Sequence, residues 1–302
     1  MMLPQEIIEK RVLISVLNWG MGHVSRSIGL IHQLILQGNK IHIACSESQK
    51  KVYREYFDSI VFIDHVEYPF EFGGKGRFGW DLTKRFSALQ RRMTNEKEEV
   101  ESFVNDYSID VVISDHRYGF RSKRIPSIFI THQFNLPVKW YQGAINSVHR
   151  KLMFQFDSIW IMDYSNSSLA GKLSRTKSEN KIEYIGIYSR FMLYDIENTL
   201  KKSETILIAS GPKIYAQQLI DEVCSKSGNE TLIVICNEDL NVPNNIQKVT
   251  GSWKEQDEII LSAQKIISRS GYSTIMDIEV LKCESEFIPT PGQAEQIYLA
   301  NY

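Results

Sequence analysis

Arg11-Val12-Leu13-Ile14-Ser15-Val16-Leu17 is a run of β-branched residues and leucines that ends on Asn18-Trp19-Gly20-Met21-Gly22-His23. From Val24 to Leu36 the apolar residues then recur at helical spacing. Strand, glycine turn and helix in that order form the opening unit of a parallel sheet. The unit repeats, with a strand over Lys40 to Cys45, a helix over Ser46 to Phe57 and a strand over Ile60 to Asp64. A glycine-bearing aromatic loop, Glu67 to Trp80, precedes a long charged helix expected over Asp81 to Asn105. Strands are expected at Ile109 to Ser114, Ser127 to Thr131 and Ser158 to Met162. Strands alternating with helices imply a parallel sheet covered on both faces, with ligands bound beyond the carboxyl ends of the strands.

A second alternation starts after the polar stretch Asp195 to Ser203, which reads as a linker. Its strands are expected at Thr205 to Ala209, Thr231 to Cys236, Lys265 to Arg269 and Ser285 to Pro289. Its helices are expected at Lys213 to Lys226, Lys254 to Ala263 and Ser273 to Lys282. The chain of 302 residues is long enough for two cores. The fold class is therefore α/β with two Rossmann-like domains, residues 1–200 and 201–302, facing a cleft.

Composition sets limits. No stretch approaches the ~18 consecutive apolar residues of a membrane span, and the start MMLPQEIIEKR lacks the apolar core of a signal peptide. The expected location is cytoplasmic. Cys45, Cys224, Cys236 and Cys283 form no C-x-x-C pair, which suits reduced thiols. Net charge is −1, so nucleic acid is not an expected partner. Up to Asp195 there are 26 basic against 21 acidic residues, and 9 against 15 thereafter, so the first half is basic. Its clusters Lys84, Arg85, Arg91, Arg92 and Arg117, Arg121, Lys123, Arg124 fit an anionic acceptor, a membrane surface at the inner face of the cytoplasmic membrane, or plain solvated faces.

Chemistry concentrates in two stretches of the second half. Ser268-Arg269-Ser270-Gly271-Tyr272-Ser273-Thr274-Ile275-Met276-Asp277 runs from a strand through a glycine turn into a helix. Backbone N–H groups and the dipole at such a helix start suit a phosphate, Ser273 and Thr274 add hydroxyls, and Asp277 one turn on can reach a ribose diol. A capped helix in any α/β protein has the same local features. Pro289-Thr290-Pro291-Gly292-Gln293-Ala294-Glu295-Gln296 follows the next strand. Glu295 and Gln296 together offer the donors and acceptors that sugar hydroxyls need, although an acidic first helical turn alone would satisfy the helix dipole.

Together these stretches resemble the donor-binding region of GT-B glycosyltransferases, in particular the family 28 enzymes that include the lipid-linked N-acetylglucosaminyltransferase of peptidoglycan synthesis. The family's R-S-G-x-x-T, which opens the phosphate-binding helix, falls on Arg269, Ser270, Gly271 and Thr274. Its acidic ribose ligand falls on Asp277, a shorter Asp where Glu is commoner, and the pair contacting the donor sugar on Glu295 and Gln296. Ser210-Gly211-Pro212 matches the loop facing the diphosphate, and Gly20-Met21-Gly22-His23 the first-domain G-x-G-H loop. SDHRYG, THQ, LAGKLS and YIGIYSRF are also similar to a group of predicted bacterial glycosyltransferases, which extends the likeness over nearly the whole chain.

The resemblance implies inverting, metal-independent transfer of a hexose or N-acetylhexosamine from a nucleotide sugar, with UDP the default carrier, to a hydroxyl of a glycan or lipid-linked acceptor. No metal and no cofactor is expected beyond the nucleotide sugar as co-substrate. It implies His23 as general base, for which an ordinary pKa of ~6.5 is suited. Asp115 is the expected orienting partner, ending a strand on the same rim. His116 and His132 compete on that rim, and Gly20, Gly22 and His132 are expected to face the acceptor. His32, His42, His65 and His149 lack ligand spacing and read as structural or exposed.

Three other readings stay open at this level. Gly20-x-Gly22 with Ser25 at the third position is an incomplete dinucleotide fingerprint with Glu47 as its ribose acid. A nucleotide-sugar 2-epimerase shares the expected architecture and donor site. A catalytically inactive nucleotide-sugar-binding protein is the third, because the chain stops at Tyr302 where relatives continue into closing helices, which are therefore expected to be missing.

Overall fold

In the computed structural model, residues 2–69, 86–137, 143–177, 180–199, 204–226 and 232–302 are described. Most of the aromatic loop at 70–80, the basic pair Lys84 and Arg85, the start of the long helix at 81–85, the last linker residues 200–203 and Thr231 lie outside them.

The first sheet has seven parallel strands: β1 Arg11–Val16, β2 Lys40–Cys45, β3 Val61–Asp64, β4 Val111–Asp115, β5 Ser127–Thr131, β6 Ser158–Ile161 and β7 Ile182–Tyr184, in the order β3-β2-β1-β4-β5-β6-β7. The strand order turns back at β1, between β2 and β4, which opens a crevice beyond the carboxyl ends of β1 and β4. The register sets Val16 beside Asp115 and Asp115 beside Ile130, so the ends of β1, β4 and β5 come out level on one rim.

Around this sheet pack α1 Gly22–Leu36, α2 Glu47–Tyr56, α3 Phe86–Asp106 and α4 Gly143–Met153. α1 buries Val24, Ile28, Ile31 and Leu34 against Val12, Ile14, Ile41 and Ile43. Beyond its end, Asn39 stops the helix by donating to Leu34 O at 2.8 Å and Ile7 O at 2.7 Å. α2 opens on a capping box between Ser46 and Gln49.

The second sheet has five parallel strands: β8 Thr205–Ala209, β9 Leu232–Cys236, β10 Gln247–Val249, β11 Lys265–Ser268 and β12 Glu284–Phe287, in the order β10-β9-β8-β11-β12. Its helices are α5 Lys213–Cys224, α6 Trp253–Leu261, α7 Tyr272–Leu281 and the short α8 Ala294–Leu299. The molecule is thus α/β with two Rossmann-like sheets, as the alternation of strands and helices implies.

The expected strands and helices that fall in the described residues are present with ends shifted by one or two positions, the ordinary fraying of such assignments. Three elements carry no readable pattern. β7 and β10 are three-residue edge strands. α4 buries only His149 and Met153 and leaves Ile145 and Val148 exposed, so its apolar residues do not mark its inner face.

The two domains interlock. Phe191, with Tyr194 and Ile196, packs into the core of the second sheet, ahead of the boundary expected near residue 200. Tyr272, Met276 and Leu299 of the second half pack with the core of the first. Contacts from α8 and beyond also reach the first domain: Tyr298 Oη accepts from Lys172 N at 2.9 Å, and Tyr302 Oη donates to Ser167 O at 3.1 Å.

Candidate active site

The rim where β1, β4 and β5 end carries three histidines, an aspartate and a buried arginine. His23 is the second residue of α1, entered through Gly20 at φ 106°. That is left-handed backbone, where glycine has no Cβ penalty. Its Nδ1 lies 3.0 Å from Oδ1 of Asp115, the last residue of β4. The expected pair is therefore within contact, because β1 and β4 are neighbours in register.

Between them stands Arg26, one turn after His23 on the same helix face. Its Nε donates to Asp115 Oδ2 at 2.7 Å and its Nη2 to Asp115 Oδ1, a two-pronged grip on the carboxylate. Nη2 also lies 2.8 Å from His23 Nδ1, and Nη1 lies 2.8 Å from His132 Nδ1. Sequence reasoning missed Arg26, although its i+3 spacing from His23 was the available signal.

Burial alone would push the Asp115 carboxyl up, but Arg26 and His23 hold it well below the usual carboxylate range. Asp115 is therefore ionised at neutral pH. His23 is lowered by burial first, against the pull of Asp115 and with the push of Arg26. His23 and Asp115 then meet as a neutral imidazole and a carboxylate, with the Nδ1 proton towards Asp115 and the lone pair on Nε2.

His132 follows β5. Its ring stacks on Tyr272 of α7 at 4.2 Å with an interplanar angle of 4°, and its Nε2 lies 2.7 Å from Glu295 Oε1 of α8. His132 is lowered by burial against the pull of Glu295, while Glu295 is held below its ordinary value by His132 despite burial. Both shifts agree with a neutral histidine donating to an anionic carboxylate. His116 takes φ 60°, a conformation costly for a residue with a Cβ, and its buried Nε2 has no partner among the described residues. Its ring sits 5.2 Å from His23 and 5.7 Å from His132.

The second domain meets this rim through the start of α7. Gly271 caps the helix in extended backbone without a side-chain bond. A Cβ on Gly22 would lie 2.6 Å from Ser273 Oγ, so the first-domain glycine loop and the start of α7 are in direct apposition. Ser273 and Thr274 are half-buried there. Ser210 and Gly211, the latter at φ 95°, are exposed after β8.

The remaining residues expected to bind a donor are engaged in holding the chain. Arg269 donates to Ile288 O, Pro289 O and Tyr215 O at 3.3, 3.1 and 2.7 Å, clamping the loop after β12. Ser270 Oγ donates to Gln296 O at 2.8 Å, and Gln296 Oε1 accepts from Thr290 N at 2.8 Å, which sets Glu295 at the cleft. Asp277 is buried and faces the junction between the domains, where Ser189 Oγ donates to one of its oxygens at 2.5 Å and Arg190 Nη1 to the other at 2.7 Å. Arg190 also bonds Asp257 at 2.6 Å and Ser25 Oγ of α1 at 2.7 Å. This strap, formed by residues that no sequence motif groups, ties α1 to α6 and α7. A groove of about 420 Å³ lined by Glu204, Ile233, Gln247, Glu258, Ile259 and Ser262 lies at the amino ends of the second sheet, away from this rim.

No known family's sequence profile matches the chain. It is 24% identical over 319 residues to an uncharacterized glycosyltransferase of Methanosarcina acetivorans, covering 95% of this chain and 81% of that protein. Its fold is similar to that of Arabidopsis thaliana UGT89C1 complexed with UDP-L-rhamnose, with TM-score 0.61, 11% identity, and 97% and 82% of the two chains covered. MurG of Acinetobacter baumannii is a further structural neighbour, with TM-score 0.52, 16% identity, and coverages of 96% and 82%. The two-domain architecture is that of the GT-B glycosyltransferases.

Proposed function

We propose that this chain, a glycosyltransferase of the GT-B fold, transfers a hexose or N-acetylhexosamine from a nucleotide sugar, with UDP as the carrier, to an acceptor hydroxyl with inversion. The observation that carries the reading is the apposition of His23, paired with Asp115 at 3.0 Å, and the start of α7, which touches Gly22 through Ser273. In this reading a base for the acceptor and a helix start for the leaving diphosphate are neighbours across the junction of the two domains. His23 Nε2 takes the proton of the acceptor hydroxyl as that oxygen forms its bond to the anomeric carbon and the bond to the diphosphate breaks. The imidazolium so formed is stabilised by Asp115, and the charge growing on the diphosphate by the N–H groups opening α7. The same helix start supports transfer without a metal ion.

A lipid-linked or surface-glycan acceptor belongs to the same proposal. Its support is the basic first half and α4, which exposes Ile145 and Val148 beside Arg150 and Lys151, a composition suited to an anionic bilayer. Among the described residues no helix is long and apolar enough to cross a membrane, so such contact would be peripheral. Sedimentation with anionic vesicles at low salt and release at high salt is the expected result.

The central test is a screen of nucleotide sugars with glycan acceptors, followed by NMR of the anomeric product. His23→Ala and Asp115→Asn should each lower kcat by roughly 10²–10⁴-fold, the span for a lost base or its orienter. Sugar-nucleotide turnover without an acceptor would point to an epimerase, and a retained anomeric configuration would refute the direct attack.

A further inference from the structure

Arg26 touches Asp115 and two histidines, and its chemistry fixes what His132 can do. A guanidinium carries N–H donors and no acceptor. His23 Nδ1 has the Asp115 carboxylate at 3.0 Å to take its proton, but His132 Nδ1 has only Arg26 Nη1, at 2.8 Å, and so must be the nitrogen with the lone pair. The proton of the neutral ring is then on Nε2, which faces Glu295 Oε1 at 2.7 Å. Arg26 cannot turn away without releasing Asp115, which it grips through Nε and Nη2. His132 cannot flip freely either, since Tyr272 lies flat on its ring and is itself anchored through its hydroxyl to Met162 O at 2.6 Å.

We propose that Arg26 is a positioning residue that locks His132 in its Nε2–H form, and that His132 and Glu295 together make one subsite for a hydroxyl of the donor sugar. The proposal rests on the transferase reading and deepens it: the first domain contributes a hydrogen-bond donor to the sugar that the second domain binds. A sugar hydroxyl both donates and accepts. Placed between the two side chains, it accepts from His132 Nε2–H and donates to the Glu295 carboxylate, so one bond is replaced by two. The present 2.7 Å separation leaves no room for it, and the sugar enters as the Glu295 side chain withdraws by the length of one further hydrogen bond, about 3 Å, with the Tyr272 stack kept. In the opposite tautomer a lone pair would face the carboxylate, and the subsite would have no donor.

The lock is read without substrate by ¹⁵N NMR of labelled imidazoles in the full chain. His132 should show a bare Nδ1 and a protonated Nε2 at neutral pH. The groups facing it are Arg26 and His23 of α1, Asp115 and His116 after β4, Tyr272 of α7 and Glu295 of α8. In a Glu295→Gln background, where the amide serves either tautomer, the ring should stay Nε2–H while Arg26 is present, and Arg26→Lys, a single donor that cannot serve Asp115 and His132 together, should give mixed tautomers. Arg26→Met/Asp115→Asn, which leaves no buried carboxylate unpaired, should do the same if the lysine variant does not fold.

The subsite is read by calorimetry with UDP-N-acetylglucosamine, UDP-glucose and UDP. His132→Phe should weaken the better-bound sugar nucleotide by up to about tenfold, the cost of one neutral hydrogen bond, and leave UDP unchanged. Wild-type His132 with its proton on Nδ1 would overturn the lock whatever the activity. Equal loss for UDP and the sugar nucleotides, or no loss, would overturn the subsite. Wild-type protein that binds none of the three probes, with His132 in the expected form, would sink the transferase reading and the subsite while the lock stands.

Discussion

Replacing Arg190 by Met should loosen the junction between the two domains. The guanidinium is buried and bonds Asp257 at 2.6 Å, Asp277 at 2.7 Å and Ser25 at 2.7 Å, and Asp257 and Asp277 are 0% and 7% exposed. Methionine fills most of the volume and leaves two buried carboxylates without their cation. Breaking one partner out of a buried pair costs about 3–5 kcal/mol, a large share of the ~5–15 kcal/mol that holds a domain folded. Tyr56 Oη, which donates to Asp257 at 2.6 Å, and Ser189 soften the loss without supplying charge. With a urea m-value of about 1–3 kcal/mol/M, the midpoint should fall by roughly 1–5 M.

The pH dependence separates this cause from simple loss of packing. Burial already holds Asp277 above its ordinary pKa, against Arg190 and Ser189. Its folded form thus binds a proton more readily than the unfolded chain, so the stability it contributes is present at low pH and lost as pH rises. Removing Arg190 widens that gap. The defect should be largest at neutral pH and shrink as pH falls towards about 5, and Arg190→Met/Asp257→Asn/Asp277→Asn should recover part of it. Urea titrations followed by far-UV circular dichroism at both pH values decide it. A loss under about 1 kcal/mol, or one that is the same at both, would refute the reasoning.

Two further substitutions test other parts of the frame. A Cβ on Gly29 of α1 would lie 2.4 Å from the backbone oxygen of Ser189, which cannot swing aside as a side chain could. Gly29→Ala should therefore destabilise by about 1–3 kcal/mol despite its better helix propensity, measured as a drop in Tm. His149 accepts from Tyr118 Oη at 2.6 Å and donates to Gln133 O at 2.7 Å, and burial pushes it from 6.5 down to about 4. The unfolded chain takes up the proton first, so stability is full above pH 6.5 and drains as pH falls to about 4. His149→Gln should flatten that part of a stability-versus-pH curve, and an unchanged slope would show that the imidazole titrates alike in both states.

Periodicity and turn residues were enough to read both sheets, because a parallel strand buried on both faces is a nearly unbroken apolar run and its helices carry an apolar stripe. β8 and β5 were legible to the residue for that reason, whereas β7, β10 and α4 were not. Three-residue edges and a helix with exposed Ile145 and Val148 leave no periodic mark. Gly20-Met21-Gly22-His23 and the Gly271 turn were legible as strand-to-helix switches, and Asp115 as a residue ending a neighbouring strand.

Local sequence thus determined where the turns fall and which side chains stand at strand ends, since those depend on φ and on a period of two or 3.6 residues. Only the tertiary structure decided the partners. Arg26 between Asp115 and His132, Glu295 on His132, and Asp277 on Arg190 each join residues 87 to 163 positions apart, or span the two domains. Such pairings follow from strand register and from how one sheet's helices seat on the other, and no window of sequence contains both members.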